Sequence, residues 1–296
     1  MAIANTLDSF FDKNYRKMLI IPIALFVILV ASFFVGIGTG KLDLNLGLDF
    51  VGGYKLSFAD WQGAGAPEIQ AQLTDVKGIT VKEITSFTGG RLLEITLKSG
   101  SNSLTKQQFE EKAMQALDLK EQPQAMELDP YLGKILYEKT TSILLLSFLL
   151  MAGAVFLYFR SFVPSVLAVA CVLINAIETF IIVSFLGVEI NPAAIIAFMF
   201  VFGYSIDTDV LLTTKMLKMR DGTLFNSVKS ATKIGLLMQV TSWFAFLAIQ
   251  LISTNDVART IALIMNIAIA FDIINTWITN ASVLRWHLER RENNAA

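Results

Sequence analysis

Two carboxylates, Asp207 and Asp209, lie in the run Phe202-Gly203-Tyr204-Ser205-Ile206-Asp207-Thr208-Asp209-Val210-Leu211-Leu212-Thr213-Thr214-Lys215, which otherwise reads as the end of a membrane-spanning helix. An ionised Asp near the centre of a bilayer costs roughly 2.5–3.5 kcal/mol even on the scale taken from insertion experiments, so acids placed there point to ion or proton handling. They precede Lys215 by eight and six residues, which at about 1.5 Å rise per residue sets them roughly 9–12 Å inside the membrane boundary. Their i, i+2 spacing turns them about 200° apart, so one compact site holds both only if the helix is packed on two sides or locally unwound. The small Gly203 and Ser205, with the hydroxyls of Thr208, Thr213 and Thr214, suit a helix at the centre of a bundle.

Other polar residues fall in apolar stretches: Glu178, Gln239 and Asp272, with Asn175, Asn266 and Asn275 as amide companions. Gln239 follows Lys233 by six residues and Asp209 precedes Lys215 by six, so both are expected about 9 Å from the same boundary and able to meet. Asp272 is expected nearer mid-membrane and Glu178 in the outer half. The candidate coupling residues are therefore Asp207, Asp209, Lys233, Gln239, Asp272 and Glu178. In this reading Asp207 or Asp209 takes up and releases a proton, paired with Lys233, Gln239 or a group on a partner subunit. Each also has a plainer role open to it, the carboxyls as hydrogen-bonded ties between helices and Lys233 as an interfacial cation. The only histidine, His287, lies beyond the last apolar stretch and the only cysteine is Cys171. Neither a metal site, a cofactor nor an internal disulfide is expected.

The elements that must position these groups are apolar helices. Hydrophobic residues make up 54% of the 296 positions, charged residues 17%, and the mean hydropathy is +0.58, a balance that indicates an integral membrane protein. Lys13, Arg16 and Lys17 precede an apolar stretch over 18–37, long enough to cross a bilayer. A secretory signal would have a shorter apolar core and an Ala-x-Ala-like cleavage site, so a retained anchor is expected. Five more spans are expected at 140–159, 163–186, 192–214, 234–252 and 261–284. Arg160, Lys215, Lys218, Arg220, Lys229, Lys233, Arg285, Arg290 and Arg291 fall on one side with the N-terminus, opposed by Arg259. The positive-inside rule makes that side cytoplasmic, with 1–17 and 285–296 inside and 41–138 outside.

The segment 41–138 has the composition of a soluble domain and carries 10 basic against 14 acidic residues. That acidic balance argues against nucleic-acid binding. Period-two stretches at 42–58, 79–87 and 91–98 read as strands. Stretches at 67–76 and 104–119 read as helices, the second with Phe109, Ala113, Ala116 and Leu117 on one face and Ser103 as N-cap. A last strand at 124–128 completes a small α+β sandwich of ferredoxin-like order.

Leu46-Gly47-Leu48-Asp49-Phe50-Val51-Gly52-Gly53, just after the first span, resembles the Gly-x-Asp-Phe-x-Gly-Gly signature of the SecF family of protein-export membrane subunits. The motif residues Gly47, Asp49, Phe50, Gly52 and Gly53 pair with Gly203 and Ser205 of Gly-Tyr-Ser-Ile-Asp-Thr-Asp on the fourth span, and the resemblance covers nearly the whole chain. Bacterial members place Asn-Asp-Thr after Gly-Tyr-Ser-x, so the two acids here flank that Asp position, and the chain looks like the archaeal form. Bacterial members also carry an Arg one turn before a Thr-Ser pair on the fifth span. Matching that pair to Thr241 and Ser242 puts Leu237 at the Arg position and leaves Lys233 as the nearest cation. The resemblance implies six spans forming one half of a twelve-helix unit like that of resistance-nodulation-division transporters, with a ferredoxin-like outer domain between the first two. It also implies an accessory, non-enzymatic role: pairing with a SecD-like subunit at the Sec translocon channel in the plasma membrane and using the ion gradient to help exported polypeptide leave. Membrane lipid is the remaining partner. Two other classes stay open: a lipid or small-molecule exporter of the resistance-nodulation-division type, and an intramembrane aspartyl protease using Asp207 with Asp272. The second lacks the Gly-x-Gly-Asp arrangement of such proteases.

Overall fold

The structure is a computed structural model that describes residues 12, 14–42, 44–59, 61–73, 78–85, 91–99, 105–117, 123–219, 222–253 and 255–294. Lys13, Ser103 and Arg220, named above, lie outside the described residues, as does the side chain of Ala116. In chain order the elements are α1 (Ile20–Gly38), α2 (Leu48–Val51), β1 (Gly53–Phe58), α3 (Ala66–Gln72), β2 (Ile79–Thr85), β3 (Arg91–Lys98), α4 (Lys106–Leu117) and β4 (Gln124–Leu128). The long helices α5 (Pro130–Phe159), α6 (Phe162–Phe185), α7 (Pro192–Leu217), α8 (Leu224–Ile252) and α9 (Asp256–Ile274) follow, then a π-helical turn (Asn275–Asn280) and α10 (Ala281–Asn293).

Among the described residues six helices are long and apolar enough to cross a membrane: Asn14–Gly38, α5, α6, α7, α8 and the continuous Asp256–Asn293. Several run well beyond their apolar stretch, because capping residues start them in polar sequence. Asp129 accepts from the Tyr131 N–H at 2.7 Å at the head of α5, and Thr223 accepts from the Asn226 N–H at 3.2 Å at the head of α8.

Between the first two spans the four strands form one antiparallel sheet in the order β2-β3-β1-β4. With α3 and α4 interleaved, this is the split βαβ order of a ferredoxin-like domain. Leu56, Ile69, Leu93, Ile95, Leu97 and Phe109 fill its core. The expectation of one strand over 42–58 is corrected. The chain makes the short helix α2 between Gly47 and Gly52, and pairing begins only at Gly53. Gly52 and Gly53 have φ of 74° and 136°, a backbone that L side chains rarely adopt. A β-carbon on Gly52 would lie 2.6 Å from Pro130 Cα and one on Gly53 2.1 Å from Leu97 O. The two glycines therefore let the motif turn tightly between the sheet and the head of α5.

In the bundle α7 is central. Its small residues Ala194 and Ala197 pack with Val183 of α6 and with Ile264, Met265 and Ala268 of α9. Its Phe202 and Ile206 pack on Val155 and Phe159 of α5 and on Ala168 and Val172 of α6. Nearer the end that carries both chain termini, Leu212 and Met216 meet Leu224, Ala231, Ala281 and Leu284. Small residues at the crossings let the backbones approach closely, which is how helices associate where lipid supplies no hydrophobic drive.

Candidate functional site

Asp272 is the hub. It lies on α9 with 1% of its surface exposed, and donors from three other helices converge on it. Ser205 donates to Oδ1, and the Thr208 hydroxyl reaches Oδ2 at 2.9 Å, both from α7. Gln239 Nε2 of α8 donates to Oδ2 at 2.7 Å, and Asn175 Nδ2 of α6 lies 3.4 Å from Oδ1. One turn on, Thr276 Oγ1 lies 3.4 Å from Asp272 Oδ1 and donates to Asp209 Oδ1 at 3.1 Å. Asp209 is fully buried and also accepts from Asn280 Nδ2 at 2.7 Å. Its Oδ2 has no described hydrogen-bond partner. Thr276 thus bridges two carboxylates on adjacent helices.

The local fold explains why these groups meet. Asp272, Thr276 and Asn280 recur every fourth residue, and the π turn over Asn275–Asn280 widens the helix within that stretch. Both Thr276 and Asn280 thereby reach the same oxygen of Asp209. On α7, Ser205, Thr208 and Asp209 are buried while Asp207 is exposed on the outward side with Gly203. The pair of acids is therefore divided by the 200° between them: one enters the bundle and the other faces away from it. Glu178 forms a smaller cluster, accepting from Asn275 Nδ2 at 2.6 Å.

Three expectations need correction. Gln239 meets Asp272 rather than Asp209, because α8 and α9 cross so that its amide reaches α9. Lys233 is exposed on α8 and makes no ion pair with the buried acids among the described residues, since it lies about one and two-thirds turns from Gln239 on another face. Asp207 and Asp272, the pairing an aspartyl protease would need, are not assembled, because Asp207 points out of the bundle. Leu237 at the bacterial Arg position is 67% exposed and takes no part in the cluster. Among the described residues no group of three His, Cys, Asp or Glu side chains is arranged to hold a metal ion.

Sequence reasoning missed Thr276, Asn280 and Trp277. The four-residue recurrence Asp272, Thr276, Asn280 was readable as a polar stripe on the last span. Trp277 had no such signal. Its indole donates to Gln239 Oε1 at 2.6 Å, a contact that only the crossing of α8 and α9 creates.

The linker motif joins this bundle to the sheet domain. Leu46 bridges Ile190 in parallel, with Gly47 N–H donating to Ile190 O at 2.9 Å and Ile190 N–H to Asn45 O at 2.8 Å. Phe50 packs with Ile190 and with Ile195 in the first turn of α7. Beside this bridge, Lys82 of β2 and Lys98 of β3 lie 2.9 and 3.6 Å from Glu189. The residues just before the helix that carries Asp207 and Asp209 are thus held directly by the sheet domain.

Six apolar helices with a small α+β domain, built around acids shared between helices, define a multi-pass membrane protein of the transport type. Residues 108–290 match the family described as protein export membrane protein SecD/SecF, C-terminal, and the chain belongs to that family. It is 29% identical to the protein-export membrane protein SecF of Pyrococcus furiosus over 95% of this chain and 94% of that one. It is 30% identical to the SecF of Methanothermobacter thermautotrophicus over 94% of each. Its fold matches the crystal structure of SecDF, a translocon-associated membrane protein from Thermus thermophilus, with a TM-score of 0.70 at 17% identity. That match covers 94% of this chain and 38% of the SecDF chain, so this chain spans well under half of that protein.

Proposed function

We propose that this chain is an accessory subunit of protein export that pairs with a SecD-type membrane subunit and couples the transmembrane ion gradient to movement of its outer domain. The observation that carries the proposal is the buried Asp209–Thr276–Asp272 cluster, with Asp207 turned outward on the same helix. Asp209 has one carboxylate oxygen without a described partner and is the group assigned to take up and release the proton. Thr276 and Asp272 are its neighbours along the path. Asp207, on the outward side of α7, is the group assigned to meet a polar or basic residue of the partner subunit, since a lone acid facing lipid would be costly.

One charge crossing about 100 mV yields about 2.3 kcal/mol, enough to bias a two-state helix rearrangement by a factor of several tens. A shift of α7 would pull on Ile190 and Glu189, and through Leu46, Lys82 and Lys98 on the outer domain. The clustering of Arg160, Lys218, Arg285 and Arg290 at the end with the termini supports a cytoplasmic placement for that end and an outside placement for the sheet domain. The outer domain would then act on polypeptide emerging from the translocon channel, and no bond-making chemistry is assigned to the chain.

Two measurements test this. Co-purification from native membranes in mild detergent should bring a second multi-span protein in fixed ratio; a lone chain would overturn the pairing. Export assayed with Asp209→Asn and Asp272→Asn should fall at least about tenfold with the complex intact, the scale of losing one charge-assisted interaction. Unchanged export in both variants removes the coupling role of the cluster.

A further inference from the structure

Trp277 links the acid cluster to the end of the bundle that carries the termini. Its ring lies against Gly235, where a β-carbon would sit 2.1 Å from Trp277 Cζ2, so any larger residue would displace the ring. The indole N–H donates to Gln239 Oε1 at 2.6 Å, and Gln239 Nε2 donates to Asp272 Oδ2 at 2.7 Å. Trp277 also borders a cavity of about 60 Å³ lined by Tyr15, Phe225, Val228, Ile278 and Arg285. That volume has room for water.

An indole nitrogen only donates. Gln239 must therefore turn its oxygen to Trp277 and its amide nitrogen to Asp272. The other groups facing Asp272 are adaptable. The hydroxyls of Ser205 and Thr208 on α7 and of Thr276 on its own helix can donate or accept. The Asn175 amide of α6 can turn, because its Oδ1 has no described partner. The titratable neighbours are Asp209, reached through Thr276, Glu178, reached through Asn275, and Cys171 and Tyr204, which lie within electrostatic reach of Asp272. No described Lys or Arg hydrogen-bonds or ion-pairs with Asp272. Gln239 is thus the contact whose sense is fixed, and Trp277 fixes it.

We propose that Trp277 is a positioning residue that locks the Gln239 amide as a donor to Asp272 and whose ring separates the acid cluster from the cavity at the terminal end. The proposal rests on the reading of Asp272 as part of the coupling cluster, but its consequence is chemical and needs no export to be seen. A carboxyl held as an acceptor and shielded from the cavity should react slowly with a membrane-permeant carbodiimide, to which a protonated carboxyl gives its proton and adds through oxygen, forming an O-acylisourea that rearranges to a stable N-acylurea.

The test uses the full chain in lipid vesicles, with whatever subunit co-purifies, and quantifies modification of the Asp272 peptide by mass spectrometry. Trp277→Phe keeps an aromatic ring, though a smaller one, and removes the N–H; modification should rise about tenfold, the scale of one hydrogen bond. Gly235→Ala, which displaces the ring, should do the same. Gln239→Leu should also raise it, and adding Trp277→Phe to that variant should change it less than about twofold, because Trp277 acts through Gln239. No rise in Trp277→Phe and Gly235→Ala overturns the proposal. So does an equal rise from Trp277→Phe in the Gln239→Leu background, which would mark Trp277 as merely structural. Export unaffected by Asp272→Asn would overturn the coupling role while leaving the labelling result to decide this proposal alone.

Discussion

Replacing Asp272 separates shape from hydrogen bonding, because Asn and Leu are close to Asp in size but differ in what they can accept. In Asp272→Leu the acceptor disappears. Thr208 keeps its bond to Ser205 O at 2.8 Å, Thr276 keeps Asp209, and Asn175 keeps the Ser205 hydroxyl at 3.3 Å. The Ser205 O–H and the Gln239 N–H are left without another described acceptor. A buried unsatisfied donor costs about 1–3 kcal/mol, and interhelical hydrogen bonds in bilayers fall at the low end of such scales. The expected loss is therefore about 2–3 kcal/mol. In Asp272→Asn one oxygen remains. If it takes the Oδ2 position it still accepts from Thr208 and from the fixed Gln239, while the new amide N–H faces Ser205, Thr276 and Asn175. The two hydroxyls can turn to accept and Asn175 can present its otherwise unpaired Oδ1, so the loss should stay below about 1 kcal/mol. Reversible unfolding in a denaturant series, followed in mixed micelles, measures the difference. Equal stability of the two variants, or a Leu variant as stable as the parent, would refute the assignment of Asp272 as the shared acceptor.

Asp207→Asn should leave the stability of the isolated chain within about 0.5 kcal/mol, since the side chain faces out of the bundle, and should show its effect in yield of the co-purified partner and in export. Gly53→Ala should destabilise the sheet domain by more than about 2 kcal/mol, combining left-handed strain with a close approach to Leu97 O that breaks pairing beside Lys98; limited proteolysis of 53–128 would report it. Glu189→Gln removes partly exposed pairs with Lys82 and Lys98, each worth about 0.2–1 kcal/mol, so global unfolding should shift little. Faster hydrogen exchange at Leu46 and Ile190 in that variant would register the loosened junction.

Most of the architecture was legible in the sequence because bilayer and sheet impose simple periods. Twenty-residue apolar runs announced the spans, alternation over 79–87 and 91–98 announced two strands, and the order of elements called for a last one at 124–128. The acids were visible because they are expensive where they lie. Where alternation misled was 42–58: Leu46, Leu48 and Phe50 alternate as a strand would. Yet Gly47 and Gly52 let the chain coil into α2 to bring Phe50 onto Ile190 and Ile195 of the bundle.

The sequence by itself determined that this is a multi-span membrane protein, that acids lie among its apolar helices, and that Asp207 and Asp209 point in opposite directions. Each follows from hydropathy or from the 100° step of a helix, which are properties of the chain alone. Only the tertiary structure decided which of the two enters the bundle, and that Asp272 rather than Asp209 receives Gln239. It also decided that Trp277 sets the sense of that contact against Gly235. Those choices depend on how helices cross and where a π turn shifts the register, and crossing is fixed by the small residues of several helices packing at once.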